Sequence, residues 1–472
     1  MGSCTGATEP GPPVPRVDYV DGAIEPILTA GQTTVIEGFG FGDTIGSGGV
    51  TFAAAAGGTV SAPVDSAGWS DLAIRVVVPA GAGSGPLTVR TATRLSLSTT
   101  VHVLPRVPFD TAGFTWQALT PFPQSPVGVA LGAAEFPTAG GMSTSLYAAG
   151  GAEVIGDSGF LADSGVYVAT VQSNGTIGSW VRQHDTTDVV TNHALPNRLS
   201  FAAAVVATRY NSRLNGTELI VIGGMDSAGN AQANVYAAAL SGSAVTSAFV
   251  TIEPLPAPLA GAIAVARRGR IYVFGGADSA GRPQNGVYVG RVGLDGRIDG
   301  WFTAPSLPGP RAYGGGVVLD DRAVAFGGIT DSADLGGGLD ATPSRLVTTD
   351  TATLSLVSGF FLGSGWASGP SLLPQGRSQF AVLPVGTAVL AVGGICDGGV
   401  VCPDETLAAP MGSDSLGLFH HAGGNTISGA GGGQVVGASG VTWRAGDGSY
   451  HGLVLGGMNL TTRQRVAGVW GF

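Results

Sequence analysis

The chain has 472 residues, with 22 basic against 32 acidic side chains and a formal charge of −10. That balance leaves no basic stripe to displace counterions and excludes a nucleic-acid partner; every basic residue is arginine, which also excludes Schiff-base and phosphate-loop lysine chemistry. With 80 glycines, 28 prolines, 44% hydrophobic and 11% charged residues, the composition fits neither a disordered chain nor one compact core, but a turn-dense all-β protein of two or more domains or a large repeat array.

Residues 1–16 read as a tether. Cys4 is followed by TGATEPGPPVPRV, a polar, proline-rich run suited to an extended spacer. A cysteine at the tip of such a spacer resembles the mature start of a bacterial lipoprotein. The resemblance implies lipidation of Cys4, export to the periplasm or cell surface, and contact with the membrane only through that anchor. The rival signal, N-myristoylation, asks for Ser or Thr where this chain has Gly6.

Residues 17–105 alternate apolar and polar positions in short runs between Gly/Pro turns, the pattern of a small antiparallel sandwich. In LAIRVVVP the spacing places Leu72, Ile74, Val76 and Val78 on one face, and STTVHVLP repeats the device with Val101 and Val103. Three pieces occur in order: GFGFG, WSDLAIRVVVP with Trp69, and GSGPLTVRT. Together they resemble the IPT/TIG family of immunoglobulin-like domains, which implies a spacer or protein-contact module. His102 reads as a surface residue.

From 106 to 472 the chain repeats. An apolar run ending in Gly-Gly recurs at Gly150, Gly223, Gly275, Gly327, Gly393 and Gly456, at intervals of 73, 52, 52, 66 and 63 residues. VYVATVQSNGTIGSW and VYVGRVGLDGRIDGW add a second mark, with Trp180 and Trp301 each 13 residues after Tyr167 and Tyr288. Their Asn174–Gly175 and Asp295–Gly296 turns predict hairpins between a third strand and a fourth, outer one carrying the tryptophan. Periods near 50 with a double glycine resemble kelch-type propellers. The resemblance implies six four-stranded blades over 106–472, closed by the strand around Trp116 lending an outer strand to the last blade. The uncharged stretch QFAVLPVGTAVLAVGGI (379–395), broken by Pro and Gly, reads as a buried hairpin and not a membrane helix.

The residues after the glycine doublets read as turn chemistry: Asp226, Asp278, Asp331 and Asp397 cap the turn through backbone bonds, and one carboxylate per loop is too few for calcium. Cys396 and Cys402 flank CDGGVVC and are expected to form a disulfide in an oxidising compartment. Galactose-oxidase relatives pair a cysteine with a nearby tyrosine, which this chain lacks, and no motif of sialic-acid mutarotase-like propellers can be matched. His420 and His421, with His451, form the weak alternative for a metal site; adjacent strand residues point to opposite faces. No catalytic residue and no cofactor is assigned.

These readings converge on a non-enzymatic cell-envelope or surface lipoprotein that binds a protein partner as a scaffold or accessory subunit. Its candidate contact loops are 181–200, with His184, Asp185, Asp188 and Arg198, and 329–345, with Asp331, Asp334 and Arg345. The alternative is a carbohydrate-binding or carbohydrate-processing propeller, with Arg282 and Tyr313 meeting a sugar acid; a metal oxidase ranks third.

Overall fold

The computed structural model describes residues 14–472 apart from 139–140, 156–158, 173–174, 184–192, 209–215, 294–296, 320–321, 331–350, 356–364, 397–399, 403–404, 413–414, 428–434, 446, 460–463 and 466–467. All regular structure among the described residues is β, and no helix is long and apolar enough to cross a membrane. The chain divides into two compact units between Arg106 and Val107.

In the first unit a four-stranded and a five-stranded sheet share one core. Ile74, Val76 and Val78 are buried with Phe52, Leu87 and Val101, as the alternation requires. Leu72 departs from it: this side chain is 64% exposed, because it sits in the bend before the strand Ala73–Val77, where its carbonyl accepts the Gly38 N–H. One pairing is parallel, Ile27–Thr29 against Thr99–Leu104, in an otherwise antiparallel unit. The buried Trp69 indole N–H reaches the carbonyls of Phe41 and Gly42 (3.2 and 3.0 Å), tying the GFGFG segment to the core.

The second unit contains six four-stranded antiparallel sheets among its described residues. The third is representative: Ile263–Arg267, Arg270–Phe274, Val287–Val292 and Ile298–Ala304 follow one another outward in chain order. The six inner strands are Ala130–Thr138, Ala203–Thr208, Ile263–Arg267, Gly315–Val318, Ala381–Val385 and Ser439–Arg444; each touches the next, and the sixth returns to the first. Apolar side chains fill the gaps between neighbouring sheets, as where Ile220 and Ile222 pack with Ile271 and Val273. Ala381–Val385 and Ala388–Val392 form the buried hairpin expected there.

The sixth sheet takes its fourth strand from the other end of the unit. Gln117–Ala118 pairs antiparallel with Val469–Gly471. Trp116 beside it is buried, its N–H and C=O both held by the Asn425 amide (2.6 and 3.0 Å) and its indole N–H by Thr406 (3.1 Å). First and sixth sheets are further joined by a largely buried Glu135–Arg444 ion pair at 2.9 Å. Tyr167 and Tyr288 lie on third strands and Trp301 on a fourth, whereas Trp180 immediately precedes the two-residue strand Val181–Arg182.

The glycine doublets have a steric cause. In all six, the second glycine donates its N–H, at 2.7–2.9 Å, to a carbonyl on the segment entering the next sheet: Leu199, Leu259, Arg311, Arg377, Val435 and finally Pro126. The last bond returns to the start of the unit and closes the cycle. The same carbonyl oxygen lies only 2.2–2.6 Å from where a Cβ on the first glycine would stand. Both glycines have positive φ, 61–70° and 95–102°. No other residue combines that backbone with that approach.

Candidate functional site: a central cavity

Two residues beyond each of those carbonyls, the chain turns through the left-handed region just before the inner strand. The six positions are Gly128, Phe201, Gly261, Tyr313, Gln379 and Gly437, with φ between 50° and 68°. Each N–H donates to the carbonyl of the preceding position at 2.7–2.9 Å, and Gly128 donates to Gly437, so a second closed cycle of six backbone hydrogen bonds forms.

A cavity of about 160 Å³, partly open to solvent, adjoins this cycle and is lined by the turns that lead into the inner strands of all six sheets. Glycine occupies three positions and larger side chains the others. A non-glycine residue held at positive φ costs about 1–2 kcal/mol. Only five described residues bear that cost, and three of them are Phe201, Tyr313 and Gln379. The rings of Phe201 and Tyr313 meet edge to face, centroids 5.4 Å apart, and lean over Gly128 and Gly261. Gln379 is 6% exposed, and its Oε1 is buried without a hydrogen-bond partner. A buried, unsatisfied acceptor costs about 1–3 kcal/mol. Strain and an orphaned acceptor thus fall on one lining residue.

The segment carrying Gln379 is braced. Arg377–Ser378 pairs with Ile395–Cys396, which pairs with Val400–Val401, and Cys396 is disulfide-bonded to Cys402, both buried. The Arg377 guanidinium, 2% exposed, donates to the Gly393 carbonyl at 3.0 Å.

Chemically, the lining is glycine, alanine, valine, serine, phenylalanine, one tyrosine and one glutamine. No carboxylate, imidazole or guanidinium is among its described lining residues.

Of the sequence-predicted residues, Tyr313 lines this cavity. Arg282 does not: its side chain is exposed and bound to Asp278 (3.0 Å) across the turn after the third doublet. Asp278 accepts the Ala280 and Arg282 N–H groups at 2.9 Å, and Asp226 caps the corresponding turn through Ala228 and Asn230. Arg198 is exposed. Cys4, His184, Asp185, Asp188, Asp331, Asp334, Arg345 and Asp397 lie outside the described residues. His420 and His421 are exposed on an outer strand of the fifth sheet, while His451 stacks on Trp443 in the sixth (5.6 Å) and meets the Phe472 carbonyl at 3.1 Å. Among the described residues no three His, Cys, Asp or Glu side chains are grouped to hold a metal ion.

Phe201 and Gln379 escaped the sequence reading. Their signal lies backward from the doublets: the left-handed position precedes the first glycine by 14 residues in three repeats, but by 22, 22 and 19 in the others. Hairpins of unequal length hide the register.

No protein-family model matches the chain, and no curated protein does. Among solved structures, one titled "Structure of YjhT" is similar, with a TM-score of 0.50 at 13% identity, covering 74% of this chain and 95% of that one. At that identity the likeness concerns fold alone: an all-β chain compatible with a β-propeller.

Proposed function

We propose that residues 106–472 form a six-bladed kelch-type β-propeller behind an IPT/TIG-type immunoglobulin-like domain, and that the protein is a non-enzymatic binding protein of the bacterial cell envelope. In this reading Cys4 carries the lipid anchor, and the loop face docks a protein partner. Two closed cycles of hydrogen bonds, six members each, support the blade count. The single observation that carries the binding reading is the central cavity of about 160 Å³, lined by the turns before all six inner strands and edged by the facing rings of Phe201 and Tyr313. The disulfide is consistent with export to an oxidising compartment.

Affinity isolation from the native bacterium after mild cross-linking tests this function. Recovery of a stoichiometric envelope protein is expected, and recovery of the chain alone overturns the scaffold role. Mass spectrometry of the same material is expected to find an acylated Cys4; an unmodified thiol removes the anchor.

A further inference from the structure

We propose that the third sheet of the second unit binds a phosphate monoester at the end away from its glycine doublet, gripped by the guanidiniums of Arg270 and Arg291 with Arg267 beside them. This goes beyond the scaffold reading and involves neither the loops after the doublets nor the central cavity.

Register places the arginines. Arg270 opens the second strand of that sheet, and both its cross-strand partners are arginine: Arg267 on the first strand and Arg291 on the third. Residues directly opposite one another share a face, with Cβ atoms about 4.5–5.5 Å apart. The three side chains therefore leave the sheet in one row. The neighbouring row on that face, Val265, Tyr272 and Val289, packs with Ala323 and Ala325 of the fourth sheet. The arginines stand where this apolar seam reaches solvent: Arg291 is exposed, and Arg267 and Arg270 are half-buried.

Like charges directly opposite destabilise a sheet, and this row has two such pairs in a protein of negative net charge. More positive charge surrounds it. Arg268, in the turn between the first and second strands, is 9% exposed and is held at positive φ. Arg297, in the hairpin between the third and fourth, is exposed. Burial raises the pKa of the Tyr272 hydroxyl, and Arg270, Arg268 and Arg267 oppose that rise, so three charges converge on one hydroxyl. Among the described residues carboxylates are fewer at this end. Asp299, in the irregular stretch across from Arg291, makes no ion pair with it. Glu218 belongs to the second sheet, which packs on the opposite face through Ile271 and Val273. Asp295, Asp320 and Asp321 lie outside the described residues.

Charge and size select the ligand. A phosphate monoester carries about −1.5 to −2 at neutral pH and three acceptor oxygens, so one group bridges two neighbouring guanidiniums and offsets their repulsion. A carboxylate brings about half that charge. A long polyanion would run from the row onto a surface whose net charge of −10 repels it, whereas a phosphate stays within the row. Half-buried Arg267 and Arg270 likewise admit a small group more readily than an extended acidic peptide.

The test titrates the purified full chain by calorimetry at low salt with inorganic phosphate, glycerol 3-phosphate, acetate and hexa-aspartate. Flotation with phosphatidylcholine vesicles, with or without one-fifth phosphatidic acid, completes the panel. Glycerol 3-phosphate is expected to bind with a submillimolar Kd, about tenfold or more tighter than acetate. Flotation that requires phosphatidic acid identifies a lipid head group as the source, and soluble binding without flotation a free phosphorylated molecule; either supports the proposal. Arg270→Gln and Arg291→Gln are each expected to weaken glycerol 3-phosphate binding about tenfold. Arg291 is exposed, so its variant keeps the test open if Arg270→Gln fails to fold. Arg282→Gln, at the doublet end of the same sheet, is the control and leaves affinity unchanged. The proposal is overturned if neither phosphate binds through the millimolar range, or if acetate binds as tightly. Hexa-aspartate binding as tightly would assign the row to an acidic protein segment and overturn it too, as would unchanged affinity in Arg291→Gln. Because the titration uses the chain alone, its outcome is independent of any partner.

Discussion

Two closed cycles of backbone hydrogen bonds run through the second unit, both with six members and both built on positive φ, yet their residue usage differs. The doublet cycle is glycine at every position; the cavity cycle is Gly, Phe, Gly, Tyr, Gln, Gly. The difference lies in what stands opposite the missing Cβ. At the first glycine of each doublet it is a neighbouring carbonyl oxygen, fixed by its own hydrogen bond. At Gly128 and Gly261 it is an aromatic side chain, not held by a backbone hydrogen bond of its own. One cycle forbids side chains, and the other only penalises them.

The sharpest way to break this contrast is Gly275→Ala. Its Cβ would stand 2.3 Å from the Arg311 carbonyl at a φ of 68°, and neither atom can retreat without losing the Gly276–Arg311 bond. A loss of about 3–5 kcal/mol in denaturant unfolding, or failure to fold, is expected. Gly261→Ala has nearly the same φ, but its obstacle is the Tyr313 ring at 2.4 Å. Here the expected loss is about 1–2 kcal/mol. Equal losses at the two sites would mean that φ alone governs both cycles.

Gln379→Gly reverses the sign. It removes a strained backbone position and an unsatisfied buried acceptor, and it forfeits only the packing of one amide side chain. Stability is expected to hold or to rise by about 1 kcal/mol. A clear destabilisation would make Gln379 a packing element of the cycle.

The same contrast explains what could be read from sequence. The doublets were visible because a steric rule with no alternative leaves one residue type at each of six places, ending apolar runs of similar length. The strand beside Trp116 was legible because WQALTPFP matches the shape of WFTAPSLP. The cavity cycle was not, since its rule admits several residue types at a cost and its distance from the doublet changes with hairpin length. Phe201 sits in LSFAAAV, where an aromatic among alanines reads as core. Leu72 was misplaced for a related reason: period-two counting runs on through a bend that the sequence does not mark. Tyr313 was singled out for a sugar acid, but its partner there was to be Arg282, which the fold commits to Asp278.

The turns outside both cycles carry the smallest effect, and they isolate electrostatics from backbone geometry. Burial pushes the Asp278 carboxyl upward, but hydrogen bonds from the Arg282 and Ala280 N–H groups and the Arg282 guanidinium outweigh it and hold the carboxyl below its ordinary value. A depressed pKa in the folded chain means that folding favours the carboxylate. Its contribution is therefore complete above the unfolded value of about 4 and fades as acid titrates through the lower folded value. Asp278→Asn keeps an acceptor for the two backbone donors and loses the charge. The difference in thermal midpoint between the two proteins is expected to be small at pH 7 and to shrink toward pH 3. Added salt should reduce it as well, since the Arg282 guanidinium is solvent-exposed. A difference that persists unchanged in acid would assign the turn to hydrogen-bond geometry alone. Asp278 would then act as the glycines do, by shape, with its charge incidental.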